Sequence, residues 1–318
     1  MKLNQLRAVV AIAEHGSLRA AARSLDTAQP TLTRSLSELE RELGAPLFER
    51  RSRGMVETAL GRAFVRRALG ILNDVRRSRE EFDQLRGSTG GTVTVGLSIA
   101  AHFSLLPKAL RPFRRQFPNV HLHVIEGFYP TLEHSLQDGS VDFAIGPDPG
   151  LRLPAILRKE MLLQNRRAVI CRTKHPLLQA KSLRELVDAE WISTSITPRA
   201  ENEIGDVFRF YGLPEPKLAL RSQSALTLLT CLANSDLLAM APTQWLESAL
   251  ANRVLTTINV KEELAAPPLI VVTRADVPLV PGADFLLTLF RRAANTIERS
   301  RGCSERSNRD RGRFKQSA

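Results

Sequence analysis

Between residues 29 and 37 the chain reads Gln29-Pro30-Thr31-Leu32-Thr33-Arg34-Ser35-Leu36-Ser37. The amide of Gln29 and the guanidinium of Arg34 can pair with base edges, and the hydroxyls of Thr31, Thr33 and Ser37 can reach phosphates or bases. Further on, Arg50, Arg51 and Arg53 crowd a short loop closed by Gly54, a set suited to phosphates or a minor groove. A second group of residues is rich in hydroxyls and sits where strands give way to helices. It comprises Ser98 with Ile99 and Ala100, then Tyr129, Pro130 and Thr131, then Ser193, Thr194, Ser195 and Thr197, and finally Ser224. Free N–H groups at helix starts attract anions, so these positions are candidate contacts for a small ligand. Ser98, Thr131 and Ser224 read equally well as plain helix caps. Three hydroxyls in a row at 193–195 exceed what a cap requires. No Arg or Lys stands beside Ser98 or Ser195, so a counter-charge would come from elsewhere, such as Arg199; an uncharged or aromatic ligand stays open.

Other constellations carry less. His121 and His123 alternate on one strand without a third ligand at suitable spacing. Cys171, Cys231 and Cys303 include no CxxC pair, so neither a zinc site nor a disulfide framework is signalled. No Gly-rich phosphate loop, GxSxG or Ser/His/Asp order is present. The sequence implies no cofactor and no enzyme.

The nucleic-acid set needs helices to hold it. Leu3, Leu6, Val9, Val10, Ile12 and Ala13 recur at helical spacing until Gly16. Ser17 caps a second segment, Leu18 to Leu25, with Arg19 outside and small Ala20, Ala21 and Ala22 permitting close helix approach. After the break at Asp26-Thr27-Ala28, a third helix begins near Pro30 and presents Leu32, Leu36, Leu39 and Leu43 along one face until Gly44. Two short helices joined by three or four residues, followed by a basic loop, predict a winged helix-turn-helix.

The run GSLRAAARSL, then QPTLTRSLSELE, then LGAPLFER closely resembles the N-terminal domain of LysR-type transcriptional regulators, and Thr58 to Gly61 resembles the opening of that family's linker helix. The resemblance extends along nearly the whole chain to about residue 299. It implies double-stranded promoter DNA, a small-molecule effector and RNA polymerase as partners. It also implies a homodimer or homotetramer. The implied domains are 1–58 for DNA binding, 59–90 for linker and dimerisation, and 91–299 for effector binding. The last divides into one lobe of 92–165 with 269–299 and another of 166–268, as in periplasmic-type binding proteins. The candidate ligand residues match the family's effector loops by position. The stretch Phe210 to Pro216 is similar to regulators of aromatic-compound degradation, including the toluenesulfonate type, which implies an aromatic acid.

The rest of the chain is consistent with this organisation. From Leu60 to Leu85, Phe64, Ala68, Ile71, Leu72, Val75, Phe82 and Leu85 make a narrow apolar stripe among Arg and Glu. A helix that long, roughly 40 Å, calls for a copy of itself as partner. After Gly87-Ser88-Thr89-Gly90-Gly91, short apolar strands alternate with helical stretches, predicting an α/β body. The 45 Lys and Arg against 33 Asp and Glu leave a formal charge of +12, and that excess sits at the ends: +5 before residue 91, +1 in the middle and +6 after residue 290. A neutral body with basic ends fits a terminal module that meets a polyanion. Residues 300–318, rich in Arg, Ser, Gly and Asn, are too poor in apolar groups to fold alone and read as a basic disordered tail, with a phosphate-contacting arm as the alternative. The N-terminus lacks a signal-peptide layout and no long uncharged apolar run occurs, which predicts a cytoplasmic protein away from membranes. A metabolite carrier or α/β enzyme with a basic N-terminus is the rival reading; it has neither a secretion signal nor a catalytic constellation in its favour.

Overall fold

The computed structural model describes residues 1–52, 54–194, 203–248 and 251–314, with side chains described except at 194 and 300–314. Two compact units form: 1–88 with 134–141, and 89–133 with 142–318.

The first unit opens with α1 (Leu3–His15), α2 (Leu18–Ser24) and α3 (Gln29–Leu43). Gly16 and Gly44 end α1 and α3 at φ +60° and +71°, in the left-handed region that a β-carbon disfavours. Ser17 Oγ accepts from the Ala20 N–H and starts α2. Val9, Ile12, Leu18, Ala21, Leu32, Leu36 and Leu39 close into one apolar cluster. The sequence places Leu43 on that face too, yet it is 42% exposed, because the helix ends there and its last turn outruns the core. A hairpin of β1 (Phe48–Arg51) and β2 (Gly54–Glu57) follows, and its Met55 N–H donates to the Gly16 carbonyl at 2.8 Å. Helix α4 (Ala59–Leu85) is capped by Thr58, whose Oγ1 accepts from Gly61 N at 2.9 Å. Its Ala68 packs with Leu6 and Val10 of α1. The short α7 (Glu133–Gln137), which comes later in the chain, belongs to this unit from His134 on; beyond it Asn73 donates to the Asp138 carbonyl.

Among the described residues the second unit holds three sheets. One has five strands, β3 (Gly90–Leu97), β4 (Asn119–Glu126), β5 (Phe143–Pro147), β6 (Leu157–Leu163) and β12 (Leu269–Arg274), in the order β4-β3-β5-β12-β6. Strand β3 runs parallel to β4 and β5, whereas β12 is antiparallel to β5 and β6. After β3 come a short helix that the sequence pattern does not signal, α5 (Ile99–Ser104), and then α6 (Leu106–Gln116). Helix α6 and the start of α10 (Pro281–Phe314) cover this sheet, with Phe143 and Phe290 edge to face at 6.0 Å.

After Leu163 the chain enters a second layer. Strands β7 (Arg167–Arg172), β10 (Ala239–Pro242) and β11 (Leu255–Ile258) form an antiparallel sheet with β7 central. Strands β8 (Glu190–Thr194) and β9 (Lys217–Ser222) run parallel, and a bridge from Trp191 to Leu238 ties them to it. Helices α8 (Glu203–Phe210) and α9 (Ala225–Asn234) and 3-10 turns at Leu183–Leu186 and Thr243–Glu247 complete it. The five-stranded sheet is therefore mixed, the β7 sheet antiparallel and the β8–β9 pair parallel, within the α/β body that strand-helix alternation suggests. No described helix is long and apolar enough to cross a membrane.

One expectation is corrected at the C-terminal end. Helix α10 continues to Phe314 where the composition of 300–318 predicts an unfolded tail. Extending an existing helix needs no new nucleus, and 300–314 contains no proline to stop it.

Candidate nucleic-acid interface and lobe junction

Helix α3 buries Leu32, Leu36 and Leu39 against α1 and α2, so the remaining face is turned out. Gln29, Pro30, Thr31, Arg34 and Ser37 are all exposed, while Thr33 is half-buried and its hydroxyl donates to the Gln29 carbonyl at 2.9 Å. The side chain of Arg34 is 82% exposed and its Nε donates to Glu38 Oε1 at 2.8 Å. That hydrogen bond holds the Glu38 carboxyl below the usual carboxylate range. Any other partner of the Arg34 guanidinium would therefore compete with Glu38 for it. Arg19 is exposed on α2, whereas Ser17 is engaged as the cap of that helix.

The wing is fixed from below by Glu40, whose Oε1 accepts from the Leu47 and Phe48 N–H groups at 2.7 and 3.3 Å. Glu40 lies on α3, so one carboxylate sets the hairpin against α3, a role that spacing in the sequence does not reveal. Arg50 and Arg51 are exposed on β1, Arg51 beside Glu49 at 2.9 Å. Arg53 lies outside the described residues.

The predicted ligand residues meet different fates. Ser98 is buried and serves as the α5 cap, accepting from Ala101 N at 3.4 Å. Ile99 packs with Ile170, Ile192, Leu228 and Trp245, and Ala100 with the first sheet's core, so each side chain is committed to packing. Tyr129 is buried, and burial, followed by the Glu133 charge, raises its hydroxyl pKa. The Tyr129-Pro130 bond is cis. Thr131 is not a helix cap: its hydroxyl donates to the Phe128 carbonyl at 2.6 Å, closing a turn before α7 begins. Ser193 is buried on β8, and Ser224 caps α9 through Thr227 N at 3.3 Å. The Thr194 side chain, Ser195, Thr197 and Arg199 lie outside the described residues.

A feature with little trace in the sequence is the joint between the two layers of this unit. Helix α5 lies against the 3-10 turn at Thr243–Glu247, with Phe103 and Trp245 rings 6.3 Å apart and Lys108 3.4 Å from Glu247. Gln244, in that turn, is fully buried, and neither of its amide atoms finds a partner among the described residues. Its signal in the sequence is faint, one polar residue before a Trp in a stretch without regular period.

His121 and His123 are exposed on the edge strand β4, and no cluster of metal-ligating side chains occurs among the described residues. Burial pushes the Cys171 thiol up to about 11, the opposite of an activated thiolate. Alkylation of the folded protein at pH 8 is therefore expected to label half-buried Cys231 well before Cys171 and to leave Cys171 intact until unfolding. Mass spectrometry of timed samples checks this, and early labelling of Cys171 would contradict its burial.

Two family models match this architecture part by part. Residues 3–62 match the bacterial regulatory helix-turn-helix protein, lysR family, and residues 86–295 match the LysR substrate binding domain. The chain belongs to the LysR family. It is a LysR-type DNA-binding transcriptional regulator and not an enzyme. It is similar to the transcriptional regulator GbpR of Azospirillum brasilense, at 28% identity over 93% of this chain and 87% of that one. It is also similar to BenM of Acinetobacter baylyi, at 30% identity over 69% of this chain and 73% of that one. Among solved structures, CbnR shares the fold with a TM-score of 0.65 at 22% identity, covering 92% of this chain and 99% of that one. Full-length OxyR of Pseudomonas aeruginosa does so with a TM-score of 0.67 at 20% identity, covering 92% and 94%. The two-part organisation of this LysR-family chain thus runs over almost its full length.

Proposed function

We propose that this LysR-type regulator binds an interrupted inverted repeat in promoter DNA as a homodimer or homotetramer, and that a small molecule held between the lobes of its effector domain changes that grip. The observation that carries the reading is the α3 face: its apolar side is used up in the core while Gln29, Thr31, Arg34 and Ser37 stand exposed beside a basic wing. A two-fold axis between two heads sets half-sites about one helical turn, 34–36 Å, apart. A relative of known structure, CbnR, has been solved with its target DNA, at a TM-score of 0.66 over 92% of this chain. The site residues for DNA are Gln29, Thr31, Thr33 and Arg34, with Arg50 and Arg53 on phosphates or in the minor groove.

The effector acts by population shift, binding one lobe arrangement better than another and so altering the spacing or bend imposed on DNA. Ser98, Thr131, Ser193 to Thr197 and Ser224 remain the proposed effector contacts, Ser98 and Ser224 through the N–H groups they help to order. The proposed effector class is an aromatic acid. The Phe210 to Pro216 stretch that suggests it presents Phe210 at 82% exposure and ties the Tyr211 hydroxyl to the Glu263 carbonyl, so it belongs to the outer surface and not to a ligand wall. The regulator works in the cytoplasm and meets RNA polymerase at the promoter.

Gel-shift binding to the DNA upstream of its own gene and the divergent neighbour, against scrambled competitor at two salt concentrations, tests the reading. Retention of an inverted repeat under competition supports it; equal binding to scrambled DNA sinks it. On that site, Arg34→Ala is expected to reduce discrimination by about 1–3 kcal/mol, and equal weakening on random DNA would show a phosphate contact only. Glu38→Gln is expected to act in the opposite direction, because it removes both the partner that holds Arg34 back and a carboxylate facing phosphates. A several-fold gain in affinity is the expected readout, and a loss would mean that Glu38 aims Arg34 correctly.

A further inference from the structure

The apolar pattern of α10 stops abruptly. Ala283, Leu286, Leu287, Phe290, Ala294 and Ile297 are buried in the core of the five-stranded sheet, and Ile297 is the last of them. The helix nevertheless continues to Phe314, about 26 Å beyond Ile297 at 1.5 Å per residue. In that extension the composition is one-sided. Residues 299–314 hold Arg299, Arg301, Arg306, Arg309, Arg311 and Arg313 against Glu305 and Asp310. Helix propensity does not account for the extension, since Ser300, Gly302, Ser304, Ser307, Asn308 and Gly312 are indifferent or poor helix formers.

What the extension does have is register. Arg299, Arg306 and Arg313 recur every seven residues, and Arg309 falls three after Arg306 and four before Arg313. On a helix those four positions lie on one side. Like charges at such spacing repel and destabilise a helix in isolation, a cost that a row of anions would remove. Duplex DNA presents one negative charge per about 1.7 Å of axis, a far denser anion array than any single metabolite.

We infer that residues 299–314 form a second DNA-contacting element, a basic helical extension that grips backbone phosphates without reading bases. The inference rests on the regulator reading above and extends it, because DNA is the polyanion this chain already meets through its head. The extension adds affinity and salt sensitivity; sequence choice stays with α3.

The test is made on the full chain, replacing Arg299, Arg306, Arg309 and Arg313 together by Gln, which keeps helix propensity and removes charge. Binding is measured on the promoter duplex and on a scrambled duplex of equal length across a salt series. At low salt, affinity for both duplexes is expected to fall about tenfold or more, with the log–log salt slope flattened by about 0.9 for each phosphate no longer neutralised. The ratio between the two duplexes should not change, and the fourfold Lys replacement should retain wild-type affinity. Unchanged affinity and slope on both duplexes would overturn the inference, even if the Gln variant lost binding to vesicles containing anionic lipid. So would a change in the ratio alone, which would mean that the extension reads sequence. Failure of the parent reading looks different: the unaltered chain itself would not prefer the promoter duplex.

Discussion

Gly61→Ala is expected to destabilise the DNA-binding head, although a Gly to Ala change inside a helix ordinarily stabilises by about 0.5–1 kcal/mol. A β-carbon at Gly61 would lie 1.9 Å from the Leu47 carbonyl oxygen and 2.9 Å from its carbon. Both belong to backbone that cannot rotate away, because the same oxygen accepts from Thr58 N at 2.9 Å and Leu47 N is held by Glu40. Relief requires α4 to lift off the root of the wing, a cost of about 3 kcal/mol or more. The same helix supplies the control. At Gly70 an added β-carbon meets nothing nearer than 3.8 Å, so Gly70→Ala should gain the ordinary helix benefit. Urea unfolding followed by circular dichroism and promoter binding reads both variants. The expected pattern is a head that unfolds at clearly lower urea in G61A, by the equivalent of about 3 kcal/mol or more, with promoter binding lost in step as the folded fraction falls, and unchanged affinity with an unchanged or higher midpoint in G70A. Equal stability of the two variants would refute the close approach.

The second large effect concerns the outer face of α4. Leu60, Ile71, Phe82 and Leu85 are 60, 41, 60 and 72% exposed, and Ile71, Val75 and Phe82 line a groove flanked by Asp74, Arg79 and Asp83. Side chains this apolar at helical spacing are a seam for a second helix. The double substitution Ile71→Asp and Phe82→Asp is expected to yield a monomer by light scattering. Affinity for a two-half-site duplex should then fall by about 10²–10⁴, the avidity that a linked second head contributes. Binding to a single half-site should hardly change, because neither residue is on the head. A variant that stays dimeric would place the interface elsewhere on the chain.

These two effects also show why some parts of the molecule are legible in residue order and others are not. The α1 to α3 core follows from local spacing: apolar residues three or four apart, a Ser cap at 17, left-handed glycines at 16 and 44. Each signal acts within a few residues, so it survives in one dimension. The exposed Gln29, Thr31, Arg34 and Ser37 come with it, since a helix that buries one face must show the other. Strand β6 is hard to read because Arg158, Lys159 and Glu160 interrupt its apolar pattern at a sheet edge, and β11 because four residues carry too little period. Helix α5 is hidden for the converse reason: Ile99 and Ala100 look like loop residues after a strand, but each is buried in a core assembled from distant segments.

The head, the long amphipathic α4, the α/β character of the body and the concentration of positive charge at both ends are written in the order of residues. Those are consequences of local period, capping and formal charge, which need no knowledge of what lies across the fold. It takes the folded chain to establish that Glu40 sets the wing on α3, that Gly61 passes against Leu47, and that Gln244 is buried at the α5 joint. The same holds for Thr131, which closes a turn in place of capping a helix, and for α10, which runs on past its core. Most of these depend on which residues meet across many positions, and contact at that range is settled by packing and hydrogen-bond completion, for which a linear pattern has no code.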